Sequence, residues 1–201
     1  EETGKIVELG RWILEAACRE VATWPGHLKL SVNVSPIQFE LVDVVAEVKE
    51  ALTRSGLPAH RLDIEITEGI FVSNARATIE ALQKLRNLGV GIALDDFGTG
   101  YSSLSYLQRF PFDKIKIDRS FVKEVVQNSS SASIIRAVVS IAADRDMITT
   151  AEGVETLEQK QRLRALGCTE MQGYLFSAAM PGPEVRPLFG PRPVTVTALA
   201  R

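Results

Sequence analysis

Two cysteines and two histidines in 201 residues leave little for soft or imidazole-rich metal chemistry. No CxxC pair and no Cys/His spacing of the kind zinc requires is present. Cys18 lies in a helical pattern and Cys168 follows Gly167, and both read as buried free thiols suited to a reducing cytoplasm. Charge of one sign is also missing: 23 basic against 25 acidic residues give a net charge of −2, too little for the field that broad binding of a nucleic-acid polymer or a membrane surface needs. No 18-residue apolar run occurs, and no basic segment leads into an apolar one at the start, so this domain is expected to be cytoplasmic and to make no membrane contact. A membrane anchor elsewhere in a longer protein stays compatible with that expectation. No low-complexity segment interrupts a composition that is 45% hydrophobic and 24% charged, the balance of one sizeable globular domain.

What is present is a repeated alternation of strand and helix patterns. A helical stripe from Glu1 to Trp24 ends at Pro25-Gly26, and Leu28 to Ser35 alternates with period two, placing Ser31, Asn33 and Ser35 on one face. Helix 41–55, strand 61–68 and helix 74–88 follow, with Gly56 and Gly89 as stops. Strand patterns then recur at 90–95, 114–118, 147–153 and 170–176, with helices at 134–143 and 156–166 between the later ones. Units of this size connect parallel strands, which leaves an open doubly wound sheet or a (β/α)8 barrel.

The last polar residues of these strands are Asn33, Glu65, Asp95 with Asp96, Lys116 with Asp118, Glu152 and Gln172. Adjacent buried carboxylates repel one another unless a cation or proton compensates, although an Asp before Gly98 and Gly100 can also be a solvated turn residue. In a parallel barrel all of these residues gather at the carboxyl-terminal mouth, where barrel enzymes build their sites. Oxygen donors without His or Cys suit Mg²⁺, Mn²⁺ or Ca²⁺, and so many acids suit two ions sharing a carboxylate. Lys116 among them would partly neutralise the acids and could hold an attacking water or a phosphoryl oxygen.

The blocks Ser31-Val-Asn-Val-Ser35, Glu65-Ile-Thr-Glu68, Asp95-Asp96-Phe97-Gly98-Thr99-Gly100-Tyr101-Ser102-Ser103-Leu104, Lys114-Ile-Lys-Ile-Asp118, Ala151-Glu-Gly-Val-Glu155 and Gln172-Gly-Tyr-Leu-Phe176 resemble, in order, the signature blocks of the EAL-domain family of bacterial cyclic di-GMP phosphodiesterases. The resemblance runs from Glu1 to about Pro181. It implies a TIM-like (β/α)8 barrel with about six of its eight strands in this chain, a phosphodiesterase domain over 1–190 and a carboxyl-terminal tail over 191–201. It also implies two Mg²⁺ or Mn²⁺ ions, with Ca²⁺ as an inhibitory substitute, and hydrolysis of cyclic di-GMP to linear pGpG. Asn33, Glu65 and Asp95 would be metal ligands, with Asp95 bridging; Asp96 and Glu152 would serve the second metal. Lys116 would hold the nucleophilic water, Gln172 would help orient it, and Glu68 would anchor the loop Phe97 to Ser103. Asp118 and Glu155 match supporting positions, and Gln38 matches one near the bound nucleotide. A metal-generated hydroxide needs no histidine base, in keeping with His27 and His60 both falling in loop sequence.

Two departures from the pattern stand out. The Glu-Ala-Leu triplets at Glu50-Ala51-Leu52 and Glu80-Ala81-Leu82 both fall inside helical stripes, so the family's metal-binding Glu is expected upstream of Glu1 with the first two strands. Ser177-Ala178-Ala179-Met180-Pro181 also lacks the Arg-Pro usual in the family at that point. Family members often form homodimers around the segment matching Tyr101 to Phe110, and an attached sensor or GGDEF-type domain is expected in the full protein. The alternative to catalysis is a degenerate EAL-type module that binds cyclic di-GMP without cleaving it.

Overall fold

The computed structural model describes residues 4–98, 107 and 110–189. Six parallel strands, β1 (Leu30–Asn33), β2 (Leu62–Thr67), β3 (Gly91–Phe97), β4 (Lys114–Ile117), β5 (Ile148–Ala151) and β6 (Glu170–Met171), are hydrogen-bonded in chain order. A doubly wound sheet reverses its strand order at a switch point, whereas a barrel wall adds each strand beside the last. The order here decides between the two architectures: the fold is α/β, with the strand succession of a TIM-like barrel.

Eight α-helices are described: α1 (Ile6–Ala22), α2 (Pro36–Leu41), α3 (Val44–Ser55), α4 (Phe71–Asn87), α5 (Arg119–Glu124), α6 (Ser129–Ala143), α7 (Leu157–Ala165) and α8 (Gly182–Val185). The inner strands present two different faces. Leu62, Ile64, Ile66, Leu94, Ile115 and Ile117 are fully buried in the apolar core with Leu82 and Leu85 of α4 and Ile135 of α6. The alternate residues Asp63, Glu65, Asp95 and Lys116 are polar and yet also buried. Period-two alternation therefore separates an apolar, helix-facing side from a charged one, both shielded from water.

Several boundaries differ from the sequence reading, each for a local reason. The strand read over 28–35 stops at Asn33, because Ser35 becomes the N-cap of α2 and Pro36 takes the first helical position, where its missing N–H costs nothing. Helix α4 begins at Phe71, and Asn74 breaks its regularity with φ −149° while its side chain caps Ala77 N–H. The strand read over 170–176 pairs only at Glu170 and Met171. Both Glu-Ala-Leu triplets lie in helices: Glu50 and Glu80 are exposed and paired with Arg54 and Arg76, while Leu82 is buried. Cys18 and Cys168 are buried free thiols, each pushed up by burial to a pKa of about 11. No described helix is long and apolar enough to cross a membrane. The tail 191–201 and most of the segment Tyr101 to Phe110 fall outside the described residues.

One buried cation holds the loop that leads into β1. Arg61, only 4% exposed, donates to the carbonyls of Leu28 at 2.7 Å, Val21 at 3.1 Å, Pro25 at 3.1 Å and Trp24 at 3.5 Å. It thereby ties the end of α1 to the turn that follows, adding a second donor to the Val21 and Pro25 carbonyls, which also accept from Trp24 and Leu28 N–H. Arg61→Met keeps the stem and removes every donor, and is expected to lower unfolding stability by about 3 kcal/mol in urea titration. A loss under about 1 kcal/mol would show that water replaces the guanidinium there.

Candidate functional site

The charged faces of β2, β3 and β4, with Glu152 just past the end of β5, converge on one ammonium group. Lys116 Nζ lies 2.6 Å from Glu65 Oε2, 2.9 Å from Asp95 Oδ2 and 2.7 Å from Glu152 Oε1. Glu65 and Lys116 sit two strands apart and meet because Ala93, in register with Glu65 on the strand between, offers only a methyl group. The ammonium is nearly sealed, with 5% of its side chain exposed. Burial pulls its pKa down, but the bonds it donates to Glu152, Glu65 and Asp95 outweigh that and hold it above the ordinary lysine range. Lys116 is therefore charged, and four carboxylates, counting Asp96, share it.

How two consecutive aspartates reach the same place is a matter of backbone geometry. In a regular strand Asp95 and Asp96 would face opposite sides. Here Leu94 pairs with Ile115 and Phe97 with Ile117, so Asp95 and Asp96 together oppose the single residue Lys116. This is a β-bulge, and Asp96 takes the left-handed conformation with φ 52°, which Asp tolerates better than most residues. Asp96 N–H donates to Asp95 Oδ1 at 2.9 Å. The bulge brings one carboxylate oxygen each from Asp95, Asp96 and Glu152 within 4.8 Å of one another. Opposite oxygens around an octahedral Mg²⁺ are ~4.2 Å apart, so this spacing and the all-oxygen donor set fit a hard divalent cation.

The electrostatics point the same way. The Asp96 carboxyl is pushed above its ordinary range by burial, then by the charges of Asp95 and Asp118, against the weaker pull of Lys116 and Arg119. Burial also raises Glu152, with Asp95 and Glu65 adding to it and the Lys116 bond opposing it. One ammonium is too little positive charge for this set.

The surroundings hold these groups in place. Gln172 Nε2 donates to Glu152 Oε1 at 2.7 Å. Gln172 follows the end of β6, with its N–H on the Ala151 carbonyl and its own carbonyl accepting from Val154 N–H. The next residue, Gly173, has φ 152°, and a Cβ there would lie 2.3 Å from Val154 N and O, so only glycine allows the two strand exits to pack this closely. Asn33 is in register with Glu65 on β1 and exposed at the mouth. Asp118 caps α5 through Ser120; burial acts to raise its carboxyl, but the Ser120 bonds hold it below the usual range. Glu155 is exposed beside the α7 capping box of Thr156 and Gln159. Glu68 Oε1 accepts from Gly98 N–H at 3.1 Å, while Glu68 Oε2 is buried with no partner among the described residues. Of the loop Phe97 to Ser103 only Phe97 and Gly98 are described. Gln38 is buried: its side-chain oxygen completes the α2 capping box with Ser35, and its amide packs against Gly10.

The structure thus joins Glu65, Asp95, Asp96, Lys116, Glu152 and Gln172, with Asn33 beside them, and places Gln38 and Glu155 in helix caps or next to them. Sequence reasoning missed the bulge. The signal was available, because two adjacent acids cannot share one face of a regular strand.

A family model described as EAL domain matches residues 1–179. MucR of Pseudomonas aeruginosa, a bifunctional diguanylate cyclase/cyclic di-GMP phosphodiesterase, is 41% identical over 189 residues, covering 92% of this chain and 28% of MucR. The chain spans about a quarter of the length of the curated relatives it matches, from 22% to 28%. The solved PaMucR phosphodiesterase in complex with c-di-GMP superposes with a TM-score of 0.87 at 41% identity, covering 92% of this chain and 76% of that one. Klebsiella pneumoniae BlrP1 in a manganese/cyclic di-GMP complex superposes at 0.79 with 32% identity, covering 86% of this chain and 44% of that one.

The excess of negative charge has a measurable consequence. Asp96 and Glu152 have pKa values raised by folding, so the folded state binds more protons, and metal-free stability is expected to fall as pH rises through their range above the ordinary carboxylate values. Excess Mn²⁺ at about a hundredfold over its dissociation constant is expected to add about 2.7 kcal/mol at neutral pH and to flatten that decline, read from thermal unfolding. Equal profiles with Mn²⁺ and with chelator would refute cation binding by this cluster.

Proposed function

The chain belongs to the EAL domain family, and on that premise we propose that it hydrolyses one phosphodiester bond of cyclic di-GMP to give linear pGpG, lowering the level of a second messenger. The observation that carries this reading is the convergence of Glu65, Asp95 and Glu152 on Lys116, with Asp96 brought alongside by the bulge. A phosphodiester is anionic and resists attack by water, so its hydrolysis needs concentrated positive charge and an activated oxygen nucleophile.

Asn33, Glu65, Asp95, Asp96 and Glu152 would hold two Mg²⁺ or Mn²⁺ ions. Such a pair lowers the pKa of a bound water from about 15.7 towards neutrality and stabilises charge on the attacking and leaving oxygens. The remaining work belongs to the chain. Lys116, kept charged by its carboxylate partners, orients the attacking water or a phosphoryl oxygen and stabilises its negative charge. Gln172 fixes the Glu152 carboxylate in one orientation. Glu68, through Gly98 N–H, fixes the exit of β3 and with it the bulge that aims Asp96. Asp118, as the α5 cap, holds the end of β4. Neither His27 nor His60 takes part. Assembly as a homodimer and control by an attached sensor or GGDEF-type domain are proposals of the same kind, the attached domain alone being supported by the bifunctional relative.

The decisive assay gives the full-length protein cyclic di-GMP with Mg²⁺, Mn²⁺ or Ca²⁺ and follows the linear product. Turnover is expected with the first two and little with Ca²⁺. Nucleotide binding without product in either Mg²⁺ or Mn²⁺ would sink the enzyme reading and favour a binding module. Glu152→Gln is expected to cut turnover on the order of a thousandfold while leaving nucleotide binding in place, because it removes a charged ligand without changing side-chain size. A variant with near wild-type turnover would remove Glu152 from the catalytic set.

A further inference from the structure

Below the carboxylate mouth, one pleat period towards the amino ends of the strands, the same wall carries a second set of charges. Lys114 Nζ lies 2.8 Å from Glu170 Oε2 and 3.6 Å from Asp63 Oδ2. Asp63 Oδ1 in turn accepts from Lys29 Nζ at 3.0 Å, and Glu170 Oε2 accepts from Thr150 Oγ1 at 2.9 Å. The members stand two residues before members of the mouth: Asp63 before Glu65, Lys114 before Lys116, Thr150 before Glu152 and Glu170 before Gln172. Residues two apart on a strand face the same side, and the ladder continues one residue past β5 and β6 through Glu152 N–H on Ile117 O and Gln172 N–H on Ala151 O, so the layers are stacked.

The two layers differ in charge balance. Two acids and two ammonium groups cancel in the lower one, whereas the mouth keeps an excess of carboxylates. The lower layer is thus no second cation site, since its own lysines already fill that role. It is nonetheless a built feature. Asp63 is 3% exposed and the Lys114 side chain 12%, and a Cβ at Gly91 would lie 2.2 Å from Asp63 Oδ1, so β3 leaves room for the carboxylate. Keeping ions here costs desolvation, and a well-packed apolar group of similar volume is often no less stable. Stability alone is therefore a weak reason for the charges.

Their effect on the mouth runs through β6. That strand has only two residues in register with β5, Glu170 with Thr150 and Met171 with Ala151. Its first residue is the one gripped from the side by Lys114 and Thr150, and two residues later Gln172 must reach Glu152 Oε1. A shift of β6 along its axis by a fraction of a residue would separate that donor from its carboxylate, because a hydrogen bond tolerates only a few tenths of an ångström.

We propose that Lys114 is a positioning residue for the metal-binding mouth: by tying Glu170 of β6 to Asp63 of β2 across the wall, it sets the height at which Gln172 holds the Glu152 carboxylate. The inference rests on the reading of that mouth as a metal-dependent catalytic site. It places the control of Glu152 outside the set of residues that touch metal or substrate.

The test uses the full-length protein as wild type, Lys114→Met, Lys114→Arg, Gln172→Ala and the Lys114→Met/Gln172→Ala double variant. Mn²⁺ affinity is measured by calorimetry without nucleotide, kcat and KM with cyclic di-GMP, and folding by thermal unfolding. Lys114→Met is expected to weaken Mn²⁺ binding about tenfold and to lower kcat with little change in KM. Gln172→Ala is expected to do the same, and the double variant to be no worse than either, because both act through one hydrogen bond. Lys114→Arg, which keeps the charge and reach, restores most of the loss. Wild-type Mn²⁺ affinity in folded Lys114→Met, or losses that simply add in the double variant, would overturn the proposal. Should Lys114→Met not fold, Glu170→Gln on the more exposed partner gives the same reading, with unchanged Mn²⁺ affinity again the refuting result. A wild type that binds Mn²⁺ but releases no product ends the phosphodiesterase reading while leaving the positioning test readable from affinity. A wild type that binds no Mn²⁺ ends both.

Discussion

A charged amine surrounded by carboxylates, sealed from water inside a parallel sheet, is the constraint on which this structure turns. Lys116 accepts the desolvation cost of its burial only because Glu65, Asp95 and Glu152 lie within 2.9 Å of its nitrogen. Those carboxylates are brought within reach because four neighbouring strands run in the same direction and end at the same level. Removing the lysine would leave several uncompensated buried charges; removing one acid would leave the others still crowded. Neither single change returns the site to neutrality, which is why the cluster behaves as a unit and why an added divalent cation suits it.

The local backbone converts that convergence into a site. An unbroken β3 would send Asp95 and Asp96 to opposite faces, one into the charged layer and the other into the apolar side packed by Leu94 and Ile115. The bulge spends one residue to turn Asp96 back towards Glu152. Gly173 has a matching role at the other end, since its missing Cβ lets the exits of β5 and β6 touch and puts Gln172 beside Glu152. The floor of Lys29, Lys114, Asp63 and Glu170 lies directly beneath, and with its charges balanced it does not compete for the ions that the mouth would attract. Family membership and an oxygen-only donor set with excess negative charge both support the proposed chemistry.

Much of this was legible in the residues. Period-two alternation in Leu62-Asp63-Ile64-Glu65-Ile66 located β2 and its two faces, and the recurrence of such segments between helical stripes required parallel strands. The acids at successive strand ends were visible without coordinates, as was the helical context that marks both Glu-Ala-Leu triplets as surface sequence. Where the reading slipped, a side chain or a turn overrode a pattern. Ser35 continues an alternation that its capping of α2 interrupts. The run from Gln172 to Phe176 looks like strand but turns away at Gly173.

The sequence by itself determined the fold class, the parallel direction of the strands and the identity of the groups at their ends, because these follow from periodicity and residue chemistry, which are local. Only the tertiary structure decided which of those groups meet. Glu65, Asp95, Lys116 and Glu152 span 88 positions of the chain, and their meeting depends on strand register, on a one-residue bulge and on the size of Ala93. Register and bulge placement are cooperative properties of a whole sheet: a one-residue slip reverses every side chain, and no local window contains the information that forbids it.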